Sequence, residues 1–352
     1  MALLEVSNLS IQLQTHRGLA LAVRDVSFTL ERGATLGLIG ESGCGKSLTA
    51  LALMGLLPEH AQVEGSIRLD GSNLLELTER QLCGLRGNRM AMVFQEPMTA
   101  LNPLHSIGRQ VAEPLRLHLG LSRAQARSRA TELLERVGIA QAAQRLGDYP
   151  HQFSGGQRQR IMIAMALACG PDLLVADEPT TALDVTVQQR ILDLLQELVA
   201  EHSMALVLIS HDLGVIAQNA EQLLVMYGGT VVESGMTEAV FARRAHPYTR
   251  GLFAARPQLQ QAAAAHLPTI AGAVPELVDL PAGCPFAGRC AHTQNECYME
   301  PPPPRTLHQP HQAAPASLAS WRQPHLARCL FEQVLSTGAQ SRTTPVQTLS
   351  KK

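Results

Sequence analysis

The chain has 352 residues, a formal net charge of −1, and a composition that is 45% hydrophobic and 17% charged. This length exceeds one typical domain, and the near-neutral charge argues against bulk electrostatic capture of nucleic acid. There is no apolar run of about 18 or more residues and no signal-peptide pattern in the first ten residues, MALLEVSNLS, so we expect a protein of the reducing cytosol, where structural disulfides are rare.

The first third of the chain predicts strands and helices around a glycine-rich loop. Residues 1–57 indicate short strands, the loop and a helix, with the buried strand TLGLI directly before the loop. Residues 62–71 alternate like a hairpin strand. Residues 106–139 are mostly helical, and Ser122 with Gln125 resembles a capping box.

The following segments alternate between strand and helix. DLLVAD (172–177) and ALVLIS (205–210) are continuous apolar strands, as expected in a parallel sheet that is covered on both faces. An amphipathic helix is predicted between them, over residues 185–203. Residues 223–235 predict two strands around a Gly-Gly turn.

The sequence pattern changes near Pro257, where the regular spacing of apolar residues that predicts helices and strands is largely lost. Thirteen of the 21 prolines lie from this residue onward. We therefore predict a first domain over residues 1–257, a small loop-rich module over residues 258–332, and a disordered tail over residues 333–352.

The glycine-rich loop GESGCGKS (40–47) fits the phosphate-loop pattern G-x-x-x-x-G-K-[ST]. Backbone N–H groups of such a loop cradle phosphate at a helix N-terminus, while Lys46 reaches the β- and γ-phosphates and Ser47 holds Mg²⁺. Cys44 is expected to be reactive because Lys46 and the helix N-terminus lower a thiol pKa; the alternative is a small residue that fills a loop position. The predicted phosphate-binding set is Gly40, Glu41, Ser42, Gly43, Cys44, Gly45, Lys46, Ser47 and Leu48.

An acidic pair completes the predicted nucleotide site. Asp177 ends the strand LLVAD and suits Mg²⁺, and Glu178 beside it suits a general base for an attacking water. A surface acidic pair is an equal alternative for this motif alone, but the phosphate loop favours the catalytic interpretation.

A second anion cradle lies in FSGGQRQR (153–160), where Ser-Gly-Gly opens a helix. One chain does not need two cradles for one triphosphate. We therefore expect Ser154, Gly155, Gly156 and Gln157 to serve the nucleotide of a second subunit.

Taken together, these motifs resemble those of ABC-transporter ATP-binding subunits. The resemblance also includes Gln95 in VFQEP, Asp184 in TTALD and His211 in LISHD, all in the family's order and spacing. It implies an α/β fold, the P-loop NTPase ABC cassette, with a RecA-like mixed-sheet core and a helical subdomain over about residues 98–165.

The resemblance also implies roles for single residues. Gln95 would sense Mg²⁺ and γ-phosphate and, with Ser47 and Asp177, surround the Mg²⁺. Asp184 would cross a dimer interface, and His211 would contact γ-phosphate and orient the water. The aromatic residue that stacks on adenine in the family has no counterpart here, and the corresponding segment offers only Leu13 and His16.

Three segments narrow the resemblance to the ATP-binding subunits of dipeptide, oligopeptide and nickel-type importers: residues 96–111, residues 246–257 and the late cysteines. It implies an ATPase at the cytoplasmic face of the membrane, paired with a sister ATPase under two transmembrane permease subunits. A solute-binding protein outside the cytoplasm would deliver a peptide or, alternatively, nickel, a metallophore or another small solute. No nucleic acid partner is implied.

Two other classes of protein fit the sequence less well. Soluble ABC ATPases of DNA repair or translation control usually carry two cassettes or long coiled coils, and this chain has one phosphate loop and no long heptad stretch. A small-molecule P-loop kinase would not be expected to carry the SGGQ signature.

Four of the seven cysteines, Cys284, Cys290, Cys297 and Cys329, gather in the loop-rich module. Their spacing, C-x₅-C-x₆-C-x₃₁-C, fits neither the tight pairs of zinc sites nor the bacterial ferredoxin run. Some members of the resembling subfamily carry a [4Fe–4S] cluster on this motif, which favours these residues as cluster ligands. A Cys₄ zinc site and a metal-free thiol loop are the alternatives.

Overall fold

The computed structural model describes residues 2–180, 183–255, 269–307 and 324–336. The strands are β1 (Ala2–Thr15), β2 (Gly18–Glu31), β3 (Thr35–Ile39), β4 (Gln62–Leu69), β5 (Ser72–Asn73), β6 (Met90–Val93), β7 (Leu173–Asp177), β8 (Ala205–Ile209), β9 (Gln222–Tyr227), β10 (Thr230–Met236), β11 (Pro304–Thr306) and β12 (Leu326–Arg328). The helices are α1 (Lys46–Leu53), α2 (Glu79–Leu85), α3 (Pro97–Ala100), α4 (Ile107–His118), α5 (Arg123–Arg136), α6 (Ala142–Arg145), α7 (Gly155–Ala166), α8 (Val185–His202), α9 (Leu213–Asn219), α10 (Thr237–Arg243), α11 (Pro247–Ala254), α12 (Glu296–Met299) and α13 (Glu332–Ser336).

One of the two sheets is antiparallel, with strand order β2-β1-β4-β5. Its strands β1 and β2 each have 14 residues, although the sequence predicts short strands. The pairing contains register shifts between Val6 and Leu9, between Leu9 and Ile11, and between Ile11 and Gln12. Each shift interrupts the two-residue alternation, so a continuous strand resembles several short ones in sequence.

The second sheet has the order β11-β12-β10-β9-β3-β8-β7-β6, and its strands from β9 to β6 run parallel. Strands β3, β7 and β8 are buried along their whole length, which confirms the parallel, doubly covered sheet predicted from their apolar runs. The predicted Gly-Gly turn joins β9 to β10, which pair antiparallel. Helix α8 lies between β7 and β8 in the chain, as predicted.

The stretch predicted as a helical subdomain contains α4 to α7. Helix α5 begins with the predicted capping box: the Gln125 N–H donates to Ser122 Oγ, and the Ser122 N–H donates to Gln125 Oε1. The apolar faces of α4, α5 and α7 join a core that also includes the parallel sheet. Burial of these faces, and not helix propensity alone, therefore holds the helices together.

The C-terminal segment is built onto the first domain. Strands β11 and β12 extend the main sheet, with Ala327 of β12 opposite Glu233 of β10. Cys284, Phe286 and Cys297 belong to the same apolar core as the parallel sheet. The predicted boundary near residue 257 lies outside the described residues, as does the predicted tail, except that helix α13 extends to Ser336. Among the described helices, none is both long and apolar enough to cross a bilayer.

Candidate functional site

Four neighbouring parallel strands end at one edge of the main sheet, and each is followed by a predicted site segment. The phosphate loop follows β3 and His211 follows β8. Asp177 ends β7 with Glu178 directly after it, and Gln95 follows β6. The carboxyl ends of parallel strands share one edge, where α/β sheets bind ligands. The fold therefore brings these segments together from distant parts of the chain.

The phosphate loop has a backbone that only glycine allows at its first position. Gly40 has a φ of 153°, and a Cβ there would lie 2.2 Å from the carbonyl oxygen of Met226. Lys46 is buried at the start of α1, and its Nζ donates to the carbonyl oxygens of Gly40 at 2.8 Å and Glu41 at 3.0 Å. The ammonium group thus lies inside the loop, where a phosphate would compete for it.

Ser47 and Asp177 form an oxygen-rich pair beside this loop. The Ser47 side chain is hydrogen-bonded to the Asp177 carboxylate, which is almost fully buried. Burial raises the pKa of Asp177, with a contribution from the neighbouring Glu178, while Ser47 and Lys46 oppose the rise. A hydroxyl and a carboxylate in contact are hard oxygen donors of the kind that Mg²⁺ prefers. The residues therefore fit this ion.

Glu178 lies between the other two predicted catalytic residues. Its Oε2 is 3.3 Å from Gln95 Nε2 and 3.3 Å from His211 Nδ1. Its backbone has a φ of 50°, an uncommon value for a residue with a side chain, and its N–H donates to the carbonyl oxygen of Ile209. This conformation at a strand end presents the carboxylate to the site.

The signature segment faces away from the chain's own core. Ser154 caps α7, where its Oγ accepts from the Gln157 N–H, and both Ser154 and Gly155 are exposed. A Cβ on Gly155 would meet nothing within 4 Å. Gln159, one turn later, is buried and donates to the carbonyl oxygen of Pro179. The segment is thus anchored to the acidic loop, while its anion cradle is open to solvent.

Asp184 is also exposed, and its carboxylate caps α8 by accepting from the Val187 N–H at 3.0 Å. Next to it, Val185 is 83% exposed. Residues 181–182, which precede it in TTALD, lie outside the described residues. The exposed Asp184 and Val185 leave this corner available for a contact with another subunit.

The expectation of a reactive Cys44 is wrong. The residue is only 2% exposed, and burial raises the pKa of its thiol although Lys46 Nζ lies 3.6 Å away and opposes the rise. The positive charge of Lys46 is visible in the local sequence, whereas the enclosure of the thiol depends on the fold. Of the two residues considered for adenine, Leu13 is partly buried against the core and His16 is exposed in the β1–β2 turn.

All four late cysteines line one cavity of about 20 Å³, together with His246 and other side chains. Burial raises the pKa of Cys284 to about 12 and also raises the pKa of Cys290 and Cys329. The seven cysteines are free thiols. Within the described ranges, however, no three Cys, His, Asp or Glu side chains are arranged to hold a metal ion. The fold therefore gathers the predicted ligands without forming a finished metal site.

Two further residues contact the phosphate loop, although no sequence motif marks them as site residues. Arg289 donates to the Glu41 carboxylate, with Nη1 2.7 Å from Oε2. Tyr248 accepts a hydrogen bond from the Glu41 N–H at its hydroxyl oxygen, at 2.8 Å. Both contacts join residues more than 200 positions apart, which no local pattern can indicate.

Comparisons with known proteins agree with this geometry. Residues 23–181 match the family described as ABC transporter, and residues 232–297 match the family described as oligopeptide/dipeptide transporter, C-terminal region. The oligopeptide transport ATP-binding protein OppD of Haemophilus influenzae is 48% identical over 85% of this chain and 92% of its own. A putative peptide import ATP-binding protein of Brucella melitensis is 46% identical over 95% of this chain and 98% of its own.

Among solved structures, the ATP-binding cassette MJ0796, a dimer in a post-hydrolysis state bound to ADP and phosphate, is similar with a TM-score of 0.61 and 27% identity. It covers 66% of this chain and 98% of its own. The predicted fold class and family are thereby confirmed. The chain belongs to the ATP-binding proteins of ABC transporters, in the branch that carries the oligopeptide/dipeptide transporter C-terminal region.

Proposed function

We propose that this chain hydrolyses ATP to power the import of di- or oligopeptides through an ABC transporter. The observation that carries the proposal is the contact of Glu178 with both Gln95 and His211, next to the phosphate loop and Asp177. A carboxylate, an amide and an imidazole at this edge can position and deprotonate a water that attacks a γ-phosphate. The names of the similar proteins support peptide as the solute.

In this proposal the phosphate loop binds the triphosphate through its backbone N–H groups, and Lys46 exchanges the carbonyls of Gly40 and Glu41 for phosphate oxygens. Ser47, Gln95 and Asp177 would hold Mg²⁺. The bound ion neutralises charge on the phosphates. Glu178 accepts the proton of the attacking water.

His211 takes part in this step by orienting the same water. Its Nδ1 faces Glu178, so base and orienting group approach one point. This arrangement gives the imidazole a positioning task.

The second half of each nucleotide site comes from another subunit. Ser154, Gly155, Gly156 and Gln157 form a helix N-terminus whose first two residues are exposed, and such a terminus attracts anions and is open to a nucleotide held elsewhere. We propose that a sister ATPase supplies that nucleotide and that Asp184 contacts the sister ATPase across the interface. ATP would close the pair and hydrolysis would open it. The dimeric state of the MJ0796 cassette supports this assembly.

The complete transporter in this proposal has two transmembrane permease subunits, with this chain bound peripherally at their cytoplasmic face. A solute-binding protein on the other side of the membrane selects the cargo. Nickel, a metallophore or another small solute is the alternative cargo, because the selecting residues lie on those partners and not on this chain.

The proposal is tested by co-purifying the chain with the permease and ATPase subunits encoded next to it and reconstituting the complex in vesicles. We expect ATP hydrolysis to rise when the binding protein is loaded with a peptide and to stay basal when the binding protein is empty. Stimulation by a nickel complex alone would support the alternative cargo. Failure to associate with any permease would contradict a transport function.

We further propose that the four-cysteine cavity binds a [4Fe–4S] cluster through Cys284, Cys290, Cys297 and Cys329. The donor set suits an iron–sulfur cluster, which is held by four thiolates. The cavity has room for about one water, so the surrounding loops must open to admit a cluster. Four thiolates with iron are anionic, and Arg250 and Arg305 lie close enough to oppose the rise that burial causes in the pKa of Cys290 and Cys329, respectively.

A bound cluster would cross-link the segments that carry the four cysteines, so its contribution is structural stability. Protein purified without oxygen should be brown, absorb near about 400 nm and contain about four irons per chain. Cys284→Ser should lose the iron, whereas Cys83→Ser, which changes an exposed cysteine elsewhere, should keep it. One zinc per colourless chain would replace the cluster by a zinc site, and folded protein without either metal would end both interpretations.

A further inference from the structure

We infer that Arg289 is a positioning residue of the nucleotide site, through which the cysteine-bearing segment holds the phosphate loop in its binding shape. The inference rests on the proposed function, since it assumes that ATP binds at this loop. It assigns a task to a contact between Arg289 and Glu41 that joins residues 248 positions apart.

The contact has the geometry of a two-point ion pair. Arg289 Nη1 lies 2.7 Å from Glu41 Oε2, and Nη2 lies 3.2 Å from Oε1. The Arg289 side chain is only 5% exposed, and its guanidinium also donates to the carbonyl oxygens of Ile270 and Ala271. Two parallel bonds fix direction as well as distance, and the carbonyls hold the arginine from behind. Glu41 is therefore attached to a group that is itself immobilised.

A second contact holds the backbone of the same loop residue. The Glu41 N–H donates to the hydroxyl oxygen of Tyr248 at 2.8 Å. Phe286 packs against Tyr248 and Tyr227, with ring centroids 5.4 Å and 5.1 Å apart. Phe286 also lines the cysteine cavity. One turn of the C-terminal segment thus contacts Glu41 directly, through the side chain of Arg289, and indirectly, through Tyr248.

These contacts matter most when ATP binds. In the structure, Lys46 Nζ donates to the carbonyl oxygens of Gly40 and Glu41 and helps to close the loop. When Lys46 turns to the phosphates, those two bonds are lost, and Arg289 and Tyr248 are left to hold Glu41. A binding site that keeps its shape avoids an ordering cost, so the ion pair should increase ATP affinity.

The test compares full-length variants for binding of a fluorescent ATP analogue with Mg²⁺. Arg289→Met should raise Kd about tenfold, equivalent to about 1.4 kcal/mol, because the loop must be ordered on binding. Arg289→Lys keeps the charge but lacks the planar fork, so it should restore part of the affinity. In the reconstituted transporter, KM for ATP should rise with Kd, while kcat at saturating ATP should change by less than about twofold.

A matched control lies in the same segment. Arg328 immediately precedes Cys329, as Arg289 precedes Cys290, and it donates to Asp25 of β2 at 2.8 Å. Arg328→Met therefore removes a comparable link between the C-terminal segment and the first domain without touching the phosphate loop. Its Kd should equal that of the original chain, whereas an equal loss of affinity in both variants would mean a general loosening and overturn the inference.

Glu41→Gln removes the other partner of the ion pair, and it provides the test if Arg289→Met does not fold. It should also raise Kd about tenfold, and the double variant should be no weaker than either single one, since both remove the same pair. Additive effects would overturn the inference, as would an Arg289→Met variant that binds like the original chain. If the original chain neither binds nor hydrolyses ATP, the proposed function is wrong. If the original chain binds ATP but the variants do not differ from it, only the inference about Arg289 is wrong.

Discussion

The buried pair of Glu233 and His325 should hold the C-terminal strands on the main sheet, and Glu233→Gln tests this. The side chains are 0% and 2% exposed, and His325 Nε2 lies 2.8 Å from Glu233 Oε1. The same carboxylate accepts from the N–H groups of Ala245 and His246, at 2.9 Å and 2.8 Å. Glutamine keeps the shape but replaces one acceptor oxygen by a donor, so at least one of these donors is left without an acceptor.

The expected loss of stability follows from the donor that Glu233→Gln leaves without an acceptor. Leaving a buried hydrogen-bond donor without its acceptor destabilises a protein by about 1–3 kcal/mol, and by more when the lost acceptor is charged. Strand β12 is paired with β10 at only two positions, Glu233 with Ala327 and Ser234 with Leu326. We therefore expect the loss to appear first as release of β12, before the rest of the sheet unfolds.

The assay combines urea unfolding with hydrogen exchange of residues 326–328. Glu233→Gln should speed exchange there, whereas Glu238→Gln, an exposed change on the adjacent α10, should leave exchange and unfolding unaltered. A change in the free energy of unfolding below about 0.5 kcal/mol, together with unaltered exchange, would refute the argument.

The pair also predicts a direction with pH. Burial alone would raise the pKa of Glu233, but His325, Thr249 and the two N–H groups outweigh it and hold the pKa below the ordinary value of 4.5. A carboxyl group with a lower pKa in the folded state stabilises the protein above its unfolded pKa, and this contribution is lost as the pH falls further. The difference between Glu233→Gln and the original chain should therefore shrink below about pH 4.

Two further predictions concern the nucleotide site. Cys44 should react with iodoacetamide far more slowly than the exposed Cys83 in the folded chain, and equal rates by mass spectrometry would contradict its burial. Gly155→Ala should change the unfolding free energy of the isolated chain by less than about 1 kcal/mol, since a Cβ at this position meets nothing within 4 Å. The same substitution should lower ATP hydrolysis by the assembled transporter about a hundredfold, because the Cβ would face the partner's nucleotide. Unchanged turnover would place that surface outside the interface.

Much of the site could be predicted because its parts are local in sequence. The phosphate loop, the acidic pair and the Ser122 capping box each depend on residues a few positions apart, and the apolar runs of β3, β7 and β8 indicate a sheet buried on both faces. Strands of a parallel sheet deliver their following loops to one edge, so the meeting of Gln95 with Glu178 follows from the fold.

The remaining features depend on contacts that no local pattern encodes. The 14-residue strands β1 and β2 resemble shorter ones because of their register shifts. The burial of Cys44 depends on the enclosing core, which reverses the expected direction of its pKa shift. The pairing of β12 with β10 and the contact of Arg289 with Glu41 each join segments that lie far apart in the chain.

The central claim is that Glu178 is the base for ATP hydrolysis in a transport ATPase. The most direct measurement is ATP turnover by the reconstituted transporter with Glu178→Gln, and the corresponding change in the sister ATPase, alongside binding of ATP with Mg²⁺. We predict that turnover falls by about 10²- to 10⁴-fold while ATP still binds, because the phosphate loop and Lys46 are unchanged. Turnover equal to that of the original transporter would contradict the claim.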